Sequence, residues 1–161
     1  VETADTFTAG DLTLIGGYVA TGITGLDGFD VVVSLFSFTN AWIGRDELNA
    51  DAFVGGVFEA SPPFGGIVPA VDGVPHVIAV RRSGTSRSVW LDGVLISTAT
   101  VASTATVAKK VHIGGNVAEG DTLTGAVGCV AYFDRALSDA EILSASRYIW
   151  SNDLGQPGLI G

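Results

Sequence analysis

Glycine punctuates this chain from end to end. Its 22 glycines among 161 residues are spread along the length rather than gathered in one tract. Between them lie short runs of β-branched and aromatic residues, such as Val31–Val33 and Val77–Val80. Turn signals every roughly 8–12 residues around such runs mark a sandwich or barrel. The spacing predicts strands over Leu12–Ile15, Tyr18–Thr21, Phe29–Phe38, Phe53–Glu59, His76–Arg82, Ser88–Leu91, Val94–Ser97, Lys110–Gly114 and Leu123–Phe133. No internal repeat, charge block or linker divides the chain, so one domain over residues 1–161 is expected.

Two local signals are sharper. Asp92-Gly93 separates Val89-Trp90-Leu91 from Val94-Leu95-Ile96, which predicts a hairpin closed by a type I′ turn, because both residues tolerate positive φ. Ser138-Asp139-Ala140-Glu141 reads as a capping box, with Leu137 and Ile142 at the staple positions. It predicts one short C-terminal helix whose face Ile142, Ala145 and Ile149 packs inward, ending near Asn152 and Gly155.

Composition excludes several classes. A chain that is 47% hydrophobic and 16% charged is not disordered. No apolar run nears the roughly 18–20 residues that cross a bilayer, so no membrane is expected as partner. The net charge of −9 leaves no basic stripe to displace phosphate counterions, so nucleic acid is not expected either. Arg81-Arg82 and Lys109-Lys110 are the paired cations, each expected at a strand edge. Val1-Glu2-Thr3-Ala4-Asp5 has neither the basic nor the apolar region of a signal peptide, and none is expected in this form. Cys129, the lone cysteine, lies in an apolar alternating run and is expected to be a buried, inert thiol.

The second half resembles the laminin G-like family of the concanavalin A-like lectin and glucanase superfamily. Four stretches carry the likeness in order: Pro75-His76-Val77-Ile78-Ala79-Val80-Arg81; Val89-Trp90-Leu91-Asp92-Gly93-Val94-Leu95; Val111-His112-Ile113-Gly114-Gly115; and Leu123 onward through Asp134-Arg135-Ala136-Leu137-Ser138-Asp139-Ala140-Glu141-Ile142. The resemblance implies an all-β fold, a two-sheet antiparallel jelly-roll sandwich, to which the capping box adds one short C-terminal helix. Val74 stands where the family has tryptophan, and Gly128-Cys129 replaces an acidic pair before the last strand. The fold is therefore carried over, and no binding site with it.

Catalysis on such a fold needs carboxylates at alternate positions of one strand, which brings them to one face at the separation a retaining mechanism uses. The tight acidic groups here, Asp46-Glu47 with Asp51 and Glu119 with Asp121, fall instead in expected loops. A glycoside hydrolase is the remote alternative. His76 and His112 sit within strand patterns and follow no nucleophile motif, and with Cys129 they are too few for a zinc site. No cofactor is expected. Calcium is conceivable at Asp27 and Asp30, Asp46 and Asp51, or Glu119 and Asp121, although none has the density of a calcium loop. Trp42 and Arg45, in the polar stretch Asn40–Glu47 expected to be a loop, are the candidate ligand- or partner-binding residues. Trp90 is expected in the core or on a face, and Trp150 is expected to pack at the end of the helix.

Two non-catalytic readings follow. The first is an exterior phage virion component, a head decoration or tail protein, similar to phage-encoded laminin G-like structural proteins. Its Ala-, Gly- and Val-rich, Lys-poor composition suits a GC-rich bacterium or its phage. Its partners would be other virion or surface proteins in an oligomer or larger assembly, contacted through the apolar N-terminal half and Pro157–Gly161, with host glycans as a further ligand. The second is a cell-surface or secreted carbohydrate-binding or adhesion module, placed outside the cell.

Overall fold

The stretch that first looks like two strands is one. Gly16-Gly17 reads as a break, yet β2 runs unbroken from Leu12 to Ala20 and lies at the centre of the fold. A Cβ on Gly17 would stand 2.5 Å from Ile149 Cγ2, so a helix rests on this strand where only glycine leaves room. The computed structural model describes residues 7–8, 10–21, 29–35, 42–46, 52–56, 73–100, 108–109, 111–116 and 121–154.

The larger of the described sheets has five antiparallel strands, in the order β13 (Gly125–Phe133), β2, β6 (Pro75–Ser83), β7 (Ser86–Leu91) and β8 (Val94–Thr100). A second sheet has the order β10 (Val111–Ile113), β3 (Phe29–Leu35), β4 (Trp42–Asp46) and β5 (Ala52–Gly56). Two short ladders complete the description, β1 (Phe7–Thr8) with β9 (Ala108–Lys109) and β11 (Gly115–Asn116) with β12 (Asp121–Thr122). The antiparallel concanavalin A-like, jelly-roll sandwich with one short C-terminal helix is thus as expected. Strand β4 is the addition: the stretch expected as a loop around Trp42 pairs with both β3 and β5.

Strand alternation gives the five-stranded sheet two apolar faces. One carries Leu12, Leu14, Tyr18, Ile78, Val80, Val89 and Leu91, which pack with Ile43 of β4 and Val111 of β10 as the sandwich core. The other carries Ile15, Val77, Ala79 and Trp90, covered by Leu137, Ile142 and Ile149 of the C-terminal segment. Helix α1 (Asp139–Asn152) lies over β6 and β2. A sheet apolar on both faces must be covered on both, and α1 is what closes the second.

The helix start matches the sequence signal. Ser138 Oγ accepts the Glu141 N–H at 3.3 Å, and Glu141 Oε2 accepts the Ser138 N–H at 2.8 Å. The lead-in is pinned to the sheet by Thr13, which is wholly buried. Its hydroxyl accepts the Leu137 N–H at 2.9 Å and donates to the Arg135 carbonyl at 3.1 Å. The Asp92-Gly93 turn also forms as expected, with φ of 52° and 81°, the positive pair of a type I′ turn. Leu91 pairs with Val94 and Trp90 with Leu95 before a bulge shifts the register at Val89.

The arginine pair lies near the end of its strand, as expected. Both residues lie on β6, an interior strand, and alternation sends them to opposite faces. Arg81 lies on the helix side, where its guanidinium sits 4.5 Å over the Trp90 ring and donates to the Leu137 carbonyl and Asp139 at 2.8 and 2.6 Å. Arg82 is buried on the core side opposite Arg87, which donates to the Gly84 and Ser86 carbonyls.

Candidate functional site

Among the described residues, the acids and bases that the sequence offers for chemistry are mostly committed to the fold. Asp92 accepts the Val77 N–H at 2.8 Å on one oxygen and pairs with His76 Nδ1 at 2.9 Å on the other. Its own N–H donates to the Val77 carbonyl at 2.7 Å. The histidine of one laminin G-like stretch and the aspartate of the next, 16 residues apart, therefore form a clasp that extends the β6–β7 ladder beyond its last strand pair. Trp150 meets the His76 ring edge-on, with centroids 6.4 Å apart. His112 is buried on β10 opposite Ser34. Asp11 accepts the Gly84 N–H at 2.7 Å, which ties the start of β2 to the β6–β7 turn.

Glu141 is held by Arg135 through two bonds, at 2.7 and 3.1 Å, as well as by the cap. The Arg135 hydrogen bonds first, then the Ser138 N–H and hydroxyl, lower its pKa from 4.5 to about 2. Burial first, then the neighbouring Asp153 charge, pushes the Cys129 thiol up. Such a thiol is protonated at neutral pH and is a poor nucleophile, but it is half-buried rather than buried as expected, because it lies on the terminal described strand of the sheet against an open cavity.

Of the acidic groups considered for calcium, Asp30, Asp46 and Asp121 lie on described strands, while Asp27, Glu47, Asp51 and Glu119 lie outside the described residues. No group of three His, Cys, Asp or Glu is placed to hold a metal among the described residues.

Both candidate binding residues, Trp42 and Arg45, lie on β4, an interior strand of the four-stranded sheet. Trp42 pairs with Ser34 and Gly56, and Arg45 with Asp30 and Phe53. Ile43 between them is wholly buried in the sandwich core. Successive strand positions belong to opposite faces, so position 42 falls on the face away from the core and position 45 on the face of Ile43. The two share a strand but not a face.

One feature had no sequence signal, since it joins separate elements. A cavity of about 510 Å³ lies between β13 and α1, lined by Cys129, Ala131, Phe133, Ala145, Tyr148 and Ile149 among others. Its wall is largely apolar, and Tyr148 on its rim is 65% exposed.

Residues 64–143 match the family model described as the concanavalin A-like lectin/glucanases superfamily. The domain is thus a concanavalin A-like, laminin G-like sandwich, and the likeness read from its second half is a family match. Comparison with curated protein sequences finds no match. Among solved structures, Trypanosoma rangeli sialidase aligns with a TM-score of 0.68 at 16% identity, over 86% of this chain and 23% of that one. This chain thus spans less than a quarter of the sialidase. The native heptameric SAP-like pentraxin of Limulus polyphemus aligns at 0.67 and 13% identity, over 99% of this chain and 79% of that one. The CBM40 module of Ruminococcus gnavus IT-sialidase aligns at 0.62 and 13% identity, over 91% and 98%. At these identities the likeness is one of fold.

Proposed function

We propose that this chain is a non-catalytic glycan-binding and structural domain, displayed on the exterior of a phage particle as a head decoration or tail protein. The observation that carries the binding role is the place of position 42, on the outward face of the layer opposite α1. Helix α1 covers the outer side of the five-stranded sheet, while β4 lies mid-sheet in the other layer, with position 42 on its outward face. A tryptophan there, with Gly44 two places along and Gly56 opposite, suits a flat platform on which a sugar ring stacks. The likeness to the CBM40 module, which spans 98% of that module, supports the same reading.

The commitment of Asp11, Asp92, Asp139 and Glu141 to backbone or arginine partners favours binding over hydrolysis, which needs a free, facing carboxylate pair. The finer placement on a virion rests on the Ala-, Gly- and Val-rich, Lys-poor composition. A secreted or cell-surface adhesion module is the alternative, with the same site.

The test is binding of the labelled chain to a glycan panel and to intact bacterial cells, with and without calcium. Saturable binding that a free sugar competes supports the reading, and a calcium requirement would bring in the acidic positions of β3, β4 and β12. Immunogold labelling of purified particles separates the two placements: label on the particle surface supports the virion, and its absence removes it.

A further inference from the structure

Strand β4 sets a chemical pattern along the outward face of its sheet. Ile43 belongs to the sandwich core, so alternation places positions 42, 44 and 46 together on the opposite face. Residues paired across strands share a face, and the register therefore lays out rows on it. Ser34 and Gly56 flank Trp42, with His112 beyond Ser34. Val31 and Val54 flank Gly44, and Phe29 and Ala52 flank Asp46. An aromatic position thus stands at each end of the pattern, with a glycine on β4 between them. His112 is 4% exposed, so the β10 end of the Trp42 row is closed and the pattern runs lengthwise along β4. These rows hold one acid, Asp46, and neither lysine nor arginine. Arg45, the next residue along, falls on the other face across from Asp30.

We propose that this face takes a linear oligosaccharide of about three units along β4, its first ring on Trp42 and its last, which bears a free amino group, on the Phe29–Asp46 row. This ligand class rests on the glycan-binding reading of the same face. From position 42 to position 46 the strand rises about 14 Å, at about 3.4 Å per residue. One sugar ring does not span that distance, and about three linked rings do. The middle ring crosses Gly44, where β4 presents no side chain.

The charge agrees with the spacing. A carboxylate position beside an aromatic one suits an ammonium group, because the acid supplies a charge-assisted hydrogen bond and the ring face adds a cation–π attraction. The same carboxylate disfavours uronic and other acidic sugars, and the chain's net charge of −9 repels them further. N-acetylation keeps the sugar ring and removes the positive charge, so it is the change that this face discriminates.

Calorimetric titration of the full chain with glucosamine trimer, its N-acetylated counterpart and glucosamine itself tests the proposal, at about pH 6 and low ionic strength. The wild type should bind the amine-bearing trimer about fivefold tighter than the acetylated one, the size expected of one exposed charge pair. It should bind glucosamine itself at least about tenfold more weakly than the trimer. Added salt should narrow the preference between the trimers, a readout that needs no variant. Asp46→Asn and Asp46→Ser should each bring the two trimers to within about twofold. Equal binding of the trimers by the wild type, a preference that salt or Asp46→Asn leaves intact, or a monomer that binds as well as the trimer overturns the proposal. If panel glycans are still bound and lost in Trp42→Ala, the wider glycan-binding reading survives that result. A chain that binds no glycan at all sinks both.

Discussion

Replacing Thr13 by valine changes the side-chain shape little and removes one hydroxyl. That hydroxyl is fully buried between β2 and the lead-in to α1, where it accepts the Leu137 N–H and donates to the Arg135 carbonyl. Leu137 is 3% exposed, so in Thr13→Val its N–H has no route to water and bears the desolvation penalty of an unmade bond, about 1–3 kcal/mol. Arg135 is exposed, and its carbonyl regains water at little cost. The net loss is about 2 kcal/mol, which lowers Tm by about 4–8 °C for a domain of this size. Thr13→Ser keeps the hydroxyl and loses one buried methyl, about 1 kcal/mol, and should melt above Thr13→Val. Thermal and urea melts at pH 7 read both variants. A Thr13→Val protein as stable as wild type, or less stable than wild type but more stable than Thr13→Ser, would refute the assignment of this staple.

Two further variants probe the hairpin and the helix cap. Asp92→Ala loses the bonds to Val77 and His76 and puts alanine at a φ of 52°, which should cost about 2–4 kcal/mol by urea melts. Asp92→Asn keeps an acceptor and suits the type I′ turn, so it should cost about 1 kcal/mol or less. Glu141 has a folded pKa of about 2 against an ordinary 4.5. Its carboxylate therefore stabilises the fold above about pH 4.5, and that contribution is lost as the pH falls from there towards 2. Melting temperatures from pH 7 down to pH 2.5 should fall less steeply in Glu141→Gln, and parallel curves would contradict this.

The parts of the fold that were legible in the sequence are those fixed by neighbours along the chain. Ser138 and Glu141 are three residues apart, and Asp92-Gly93 is two residues long, so residue chemistry alone declared the cap and the turn. Gly16-Gly17 misled because a glycine pair that breaks a strand and one that admits a packed helix look alike until Ile149 is placed. Strand β4 was hidden by the polar residues around Trp42, although β-pairing on both sides holds that stretch in the sheet. The His76–Asp92 clasp gives the family likeness a physical basis, since two of the four stretches that carry it meet in space. The cavity beside β13 was not legible, because its walls come from a strand and a helix whose docking no local pattern encodes.

Sugar binding through the outward face of the four-stranded sheet is the property on which the proposed function stands. Its most direct test is titration of the wild type and Trp42→Ala with the best glycan from the panel, with Arg45→Ala as the companion on the opposite face. Wild-type binding should saturate, Trp42→Ala should lose at least tenfold in affinity with an unchanged Tm, and Arg45→Ala should keep near-wild-type affinity. Equal binding by wild type and Trp42→Ala, or no glycan bound by either, would contradict it.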